Sequence, residues 1–141
     1  MIILVVENEP ITAFVVAREL EEGSHQIIGP VSSAEDALDL ATREHIDVAL
    51  IEIDLGREDQ GIRLARALRR LSIPCVFATA RSTLAHEYSA FALGYLAKPY
   101  DTVKVNAIMD FIQDSLSGVS ANGLSPPHGL ELFSASQERL L

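Results

Sequence analysis

Short continuous apolar runs alternate along the chain with longer stretches in which apolar residues recur at helical spacing. Ile2-Ile3-Leu4-Val5-Val6, Val48-Ala49-Leu50-Ile51 and Cys75-Val76-Phe77-Ala78 contain no polar alternation, so each reads as a strand buried on both faces. Such strands belong to parallel sheets, and their alternation with helical stretches predicts βαβ units. Strands are expected at 2–6, 26–29, 47–53, 75–78 and 94–97. Pro10 opens a first helix to about 22, ended by Gly23, and Ser32 or Ser33 caps a second to about 44. A third runs through Leu64, Ala65, Leu68 and Leu71, a fourth lies at 84–93 and a fifth at 102–116. The first helix departs from a single apolar stripe. Ile11, Ala13, Phe14, Val15, Val16, Ala17 and Leu20 surround it, which implies either unusually deep burial or a face that docks a partner protein.

From Ser117 the pattern breaks. Ser117-Gly118, Asn122-Gly123 and Ser125-Pro126-Pro127 have linker composition, so a main domain at 1–116 is followed by a linker and tail at 117–141. Leu130, Phe133, Leu140 and Leu141 fall on one helical face, and the tail reads either as a short helix at 129–141 that docks on the domain or a partner, or as a frayed end. It is too short for a conventional DNA-binding output domain, so output passes through surfaces of the main domain.

Composition narrows the class. The 141 residues suit one domain with a core, 48% of them are hydrophobic and 22% charged, and no apolar stretch is long enough to span a bilayer. No basic leader follows Met1, so the expected location is cytoplasmic, with no membrane partner. A net charge of −9 argues against nucleic acid as a partner. The basic group Arg63, Arg66, Arg69 and Arg70 reads as a solvated helix face. Cys75 reads as a buried core residue; His25, His45, His86 and His128 share no metal-ligand spacing and read as surface or turn residues; Gly56, Gly61 and Gly94 read as turn glycines.

Candidate chemistry gathers where the apolar runs end, because ligands of open α/β sheets bind beyond the carboxyl ends of the strands. Those ends carry Glu7, Asn8, Glu52, Asp54, Thr79 and Lys98. Clustered carboxylates repel unless a cation neutralises them, and hard oxygen ligands suit Mg²⁺. An acidic residue there can accept a phosphoryl group, with metal, hydroxyl and ammonium compensating its charge.

The order of Val-Val-Glu-Asn-Glu-Pro, Leu-Ile-Glu-Ile-Asp-Leu-Gly, Thr79-Ala80 and Tyr95-Leu96-Ala97-Lys98-Pro99-Tyr100 resembles the receiver domain of bacterial two-component response regulators over about residues 1–116. The resemblance implies an α/β fold with a doubly wound, five-stranded parallel sheet, flavodoxin-like (βα)₅, strand order 2-1-3-4-5. It implies a signalling module in a phosphorelay and not an enzyme. Glu7 and Asn8 fall on the family's metal-binding acidic pair, with Asp54 on the residue whose backbone carbonyl binds the metal. Glu52 falls on the phosphoacceptor Asp, Thr79 on the switch hydroxyl, Tyr95 on the switch aromatic and Lys98 on the family's lysine, with a cis Lys98–Pro99 bond. A histidine kinase or phosphotransfer protein is the implied partner at the first helix. A homodimer is implied across helix 4, strand 5 and helix 5, with Phe91, Tyr95 and Tyr100 as contacts.

Two positions depart from that pattern. Asn8 removes one negative charge, so Mg²⁺ binding should be weak or absent. Glu52 sets its carboxylate about 1.5 Å farther out than Asp would, within reach of Lys98 and Thr79, so a direct Glu52–Lys98 ion pair without metal is expected. The leading expectation is a receiver whose Glu52 mimics phosphorylation or makes the domain independent of it. The alternative is an orthodox receiver using Asp54, two residues on along the same strand. A Mg²⁺-dependent phosphohydrolase lacks an Asp nucleophile at the first strand, and a flavin protein would not place Glu7-Asn8-Glu9 where a phosphate sits.

Overall fold

The apolar runs become the middle of one sheet. A computed structural model describes residues 1–56, 59–118 and 125–133, with strands β1 (Ile2–Val6), β2 (Gln26–Val31), β3 (Val48–Glu52), β4 (Cys75–Thr79), β5 (Gly94–Ala97) and β6 (Leu130–Leu132). The helices are α1 (Pro10–Glu22), α2 (Ala34–Arg43), α3 (Gln60–Arg70), α4 (Ser82–Glu87) and α5 (Val105–Leu116). Sheet order is β2-β1-β3-β4-β5-β6; the first five strands are mutually parallel and β6 runs antiparallel to β5. The order 2-1-3-4-5 and the doubly wound α/β architecture are therefore as the sequence predicts.

Burial explains the absence of polar alternation. Every residue of β3 and β4 is buried, because apolar layers cover both sheet faces. Leu4, Ile51 and Phe77 pack with Ala65 and Leu68 of α3 on one face, while Ile3, Val5 and Val76 pack with Leu20, Ile108 and Ile112 of α1 and α5 on the other. Cys75 is buried in the first layer, and burial pushes its thiol pKa up to about 12.

Several boundaries move. β2 continues to Val31 through a cis Gly29–Pro30 bond, and Val31 O accepts the Glu7 N–H at 2.9 Å. α4 stops at Glu87, and Ser89–Phe91 forms a separate 3-10 turn; Arg66 and Arg69 lie 5.1 and 5.6 Å from the Phe91 ring centroid, and Arg69 also donates to Ala90 O at 2.9 Å. Two of the four arginines thus clamp this turn instead of forming a purely solvated face. Asp101 accepts the Val103 N–H, so Thr102–Lys104 is a 3-10 turn before α5.

The tail differs most. Residues 130–132 form a strand on the β5 edge and not the first turn of a helix at 129–141, because the unpaired polar groups of β5 offer a ladder that one isolated helical turn cannot match. Residues 134–141, including Leu140 and Leu141, lie outside the described residues. Gly61 and Gly94 are not turn glycines. Gly61 lies in α3, where a Cβ would run into the Ile53 backbone, and Gly94 lies in β5, where one would run into Glu131 of β6. Gly56, with φ +85°, is a turn glycine.

Candidate functional site

Glu7 follows β1, Glu52 ends β3, Thr79 ends β4 and Lys98 follows β5, so the parallel sheet delivers all four to one end. The Lys98 N–H donates to Thr79 O at 2.8 Å, continuing the ladder one step beyond β5, and the Lys98–Pro99 bond is cis. From there the ammonium reaches across the strand ends. Its Nζ lies 2.5 Å from Glu7 Oε1, 3.4 Å from Glu52 Oε1 and 3.9 Å from Glu9 Oε1. Glu7 and Glu52 are 6% and 7% exposed, whereas the Glu9 side chain is 66% exposed, so the first two are the buried partners. The Glu52–Lys98 pair anticipated from the sequence is present, but Glu7 makes the shorter contact.

The electrostatics follow from an imbalance of charge. Burial pushes the Glu52 pKa from 4.5 up to about 7; Lys98 opposes the rise, while Glu7 and Asp54 add to it. Burial also works against the Lys98 ammonium, but the Glu7 hydrogen bond and the charges of Glu52, Glu7 and Glu9 outweigh it and raise its pKa. Tyr100, beside the same carboxylates, has its phenol pKa raised, first by burial and then by Glu7, Glu52 and Glu9. Glu52 Oε2 is buried without a hydrogen-bond partner, as fits a carboxyl that is partly protonated near neutral pH.

This arrangement gives a stability signature. Between about 4.5 and 7 the folded chain holds a proton on Glu52 that the unfolded chain releases, so this group's contribution is fully present below that window and is lost as pH rises through it. With solvent screening at the pocket mouth, the loss is about 2 kcal/mol. Glu52→Gln should be more stable than wild type at pH 8 and nearly equal to it at pH 4, as read by urea unfolding across pH.

The other candidates are less central. Asn8 and Asp54 are exposed, and β3 ends before Asp54, so Glu52 and Asp54 do not share one face of a strand. Asp54 instead lines a cleft with Ile53, Gly56, Asp59, Ile62, Arg81 and Leu84. Thr79 is buried, and its Oγ1 accepts the Arg81 N–H at 2.9 Å, shaping the turn into α4. Among the described residues, no group of three or more His, Cys, Asp or Glu is placed to hold a metal ion. The Lys98 ammonium already faces both Glu7 and Glu52, and Asn8 contributes no carboxylate, so the donor set suits Mg²⁺ poorly.

Tyr95 is buried at the sheet edge. Its hydroxyl donates to Glu131 Oε2 at 2.8 Å and its ring stacks on Phe133, with centroids 5.8 Å apart. It is therefore not a surface contact for a second chain, and β6 occupies part of the face expected to pair. One histidine needs correction: His25 is buried with Nε2 2.8 Å from Asp110, whereas His86 is exposed as expected, with its ring edge-on to Tyr95 and Phe133. Sequence reasoning did not single out Glu131, and it placed Phe133 on a helix face and Gly94 in a turn instead of setting them beside His86 at the β5 edge. Their one sequence signal was a short apolar segment, Leu130-Glu131-Leu132-Phe133, isolated behind a linker. On α1, Ile11 is 81% and Phe14 61% exposed, with Arg18 over the Phe14 ring, so that helix is not deeply buried.

Comparison with known proteins agrees with this fold. A family model described as "Response regulator receiver domain" matches residues 3–110. The transcriptional regulatory protein YvrH of Bacillus subtilis is 29% identical over 109 residues, covering 74% of this chain and 46% of that protein. The chain thus spans about half the length of the curated relatives it matches. The receiver domain of Francisella response regulator 1452 superposes with a TM-score of 0.72 at 21% identity, covering 82% of this chain and 98% of that one. A response regulator of Thermotoga maritima in complex with Mg²⁺ and BeF superposes with a TM-score of 0.66 at 21% identity, covering 84% and 98%.

Proposed function

Because the chain belongs to the response regulator receiver domain family, we propose that it serves as a receiver whose signalling state does not depend on phosphorylation of the usual pocket. The carrying observation is the engagement of Lys98 by two buried carboxylates, Glu7 at 2.5 Å and Glu52 at 3.4 Å. A phosphoryl group needs cationic charge around its oxygens, and this ammonium already balances acids of the chain itself. Glu52, standing where the family carries its acceptor Asp, places a carboxyl group of the chain itself against the lysine at 3.4 Å. Asn8, standing where the family carries a metal-binding Asp, leaves Glu7 without a paired carboxylate at the next position for Mg²⁺.

Receiver domains are signalling modules that interact with histidine kinases or phosphotransfer proteins. In this chain the exposed Ile11 and Phe14 favour α1 as the surface for such a protein. Pairing of two copies across α4, β5 and α5 would first require β6 to leave the β5 edge. Asp54 supplies the second reading: it is exposed and shares its cleft with Arg81, whose charge could stabilise a phosphoryl group there.

Titration with Mg²⁺, alone and with beryllofluoride, tests the metal side. Wild-type amide NMR shifts around Glu7 and Glu52 are expected to stay unsaturated at millimolar Mg²⁺ and to ignore beryllofluoride. The Asn8→Asp/Glu52→Asp variant should show saturable shifts. Saturable, pocket-centred shifts in the wild type would contradict the proposal.

A further inference from the structure

β6 meets a surface already shaped for it. Gly94 lies opposite Leu132, Tyr95 opposite Glu131 and Leu96 opposite Leu130, and Phe133 donates its N–H to Leu93 O at 3.0 Å. The three atoms nearest a Cβ built on Gly94 all belong to β6: the Glu131 carbonyl oxygen and carbon, and Leu132 Cα at 3.0 Å. A side chain at 94 is therefore incompatible with this approach.

Side chains add selectivity to the backbone ladder. One Glu131 carboxylate oxygen accepts the Tyr95 hydroxyl at 2.8 Å, and the other lies 3.3 Å from His86 Nε2. Phe133 is buried, stacked on Tyr95 at an interplanar angle of 23° and edge-on to His86 at 5.6 Å. The outer ladder of β5, a clamp for a carboxylate and an aromatic slot together read an extended segment of the form Leu-Glu-Leu-Phe.

We propose that the β5 edge is a strand-addition site for a partner protein presenting an extended acidic segment that ends in an aromatic residue, held closed in this chain by its own residues 130–133. Strand addition draws affinity from main-chain hydrogen bonds and specificity from alternate side chains, which is the division seen here. The resident segment is a three-residue strand on a linker, so little ladder has to break for exchange. Tethering nevertheless gives it an effective concentration of the order of mM, which lowers a partner's apparent affinity by the fraction of time the edge is open. While closed, the edge is also protected from indiscriminate strand pairing.

The full chain and a fluorescein-labelled peptide of residues 127–133 test the site. The peptide should bind the Glu131→Lys/Phe133→Ser variant at least about tenfold more tightly than the wild type, because the resident strand is weakened. Adding Gly94→Ala to that variant should abolish binding. Equal affinity for wild type and tail variant, or binding that survives Gly94→Ala, would overturn the proposal. Hydrogen exchange supplies a readout that needs no peptide: Gly94→Ala alone should deprotect β5 amides while β1 and β3 keep their protection. Unchanged protection contradicts the proposal, as does wild-type β5 protection that rises with protein concentration, which would assign the edge to a second copy.

Discussion

Lys98→Met is expected to lower folding stability by about 3–5 kcal/mol at pH 8, because it strands buried carboxylates that now share one cation. Met keeps most of the side-chain volume, so packing loss contributes little. Glu7 loses a contact of 2.5 Å and Glu52 one of 3.4 Å, and among the described residues no second ammonium or guanidinium lies within salt-bridge distance of either. The loss of Lys98 also removes the influence that holds the Glu52 pKa down, so the penalty should shrink steadily toward pH 4, where carboxylic acids carry less charge. Lys98→Met combined with Glu7→Gln and Glu52→Gln should recover most of the loss. Urea unfolding of the single and combined variants at pH 4, 6 and 8 measures it; equal destabilisation across pH would mean that packing, not charge, dominates at this site.

The second large effect is a gain of chemistry. Asn8→Asp/Glu52→Asp is expected to acquire a phosphoryl group from acetyl phosphate in the presence of Mg²⁺. A carboxylate oxygen of the aspartate introduced at position 52 would bond to the phosphorus, and the acetyl phosphate C–O–P bridge would open to release acetate. Shortening the side chain at 52 draws its carboxylate back by about 1.5 Å and frees Lys98 to face the incoming oxygens. The carboxylate at 8 adds a hard ligand beside Glu7. Conversion of a large fraction of the variant, read by intact mass and abolished by EDTA, is the expected result. A variant that folds, as judged by far-UV circular dichroism, yet stays unmodified would place the obstacle elsewhere than in these two residues.

How much of this was legible depended on the range of the forces involved. β1, β3 and β4 could be read directly because burial on both faces leaves an uninterrupted apolar run, a property each strand carries in its own residues. The convergence of Glu7, Glu52, Thr79 and Lys98 followed from parallel pairing alone. Which carboxylate Lys98 would favour did not, since it depends on small differences in its distances to Glu7 and Glu52. The same-face placement of Glu52 and Asp54 failed because it assumed that β3 continued past Glu52.

The tail was misread for a related reason. Leu130, Phe133, Leu140 and Leu141 satisfy a helical period, and a three-residue strand has too few residues to display its own. Only the open β5 edge, a tertiary feature, makes 130–132 extended. Gly94 then takes its meaning from a segment far along the chain: its absent Cβ is space that Glu131 occupies. His86 and Tyr95 likewise become a carboxylate clamp only once Glu131 is in place.

Intact-mass spectrometry of the wild-type chain, incubated with acetyl phosphate and Mg²⁺, bears most directly on whether this receiver works without phosphorylation. The account predicts an unmodified mass under conditions that convert Asn8→Asp/Glu52→Asp. A stable adduct of one phosphoryl group on the wild type, whether mapped to Glu52 or to Asp54, would contradict it.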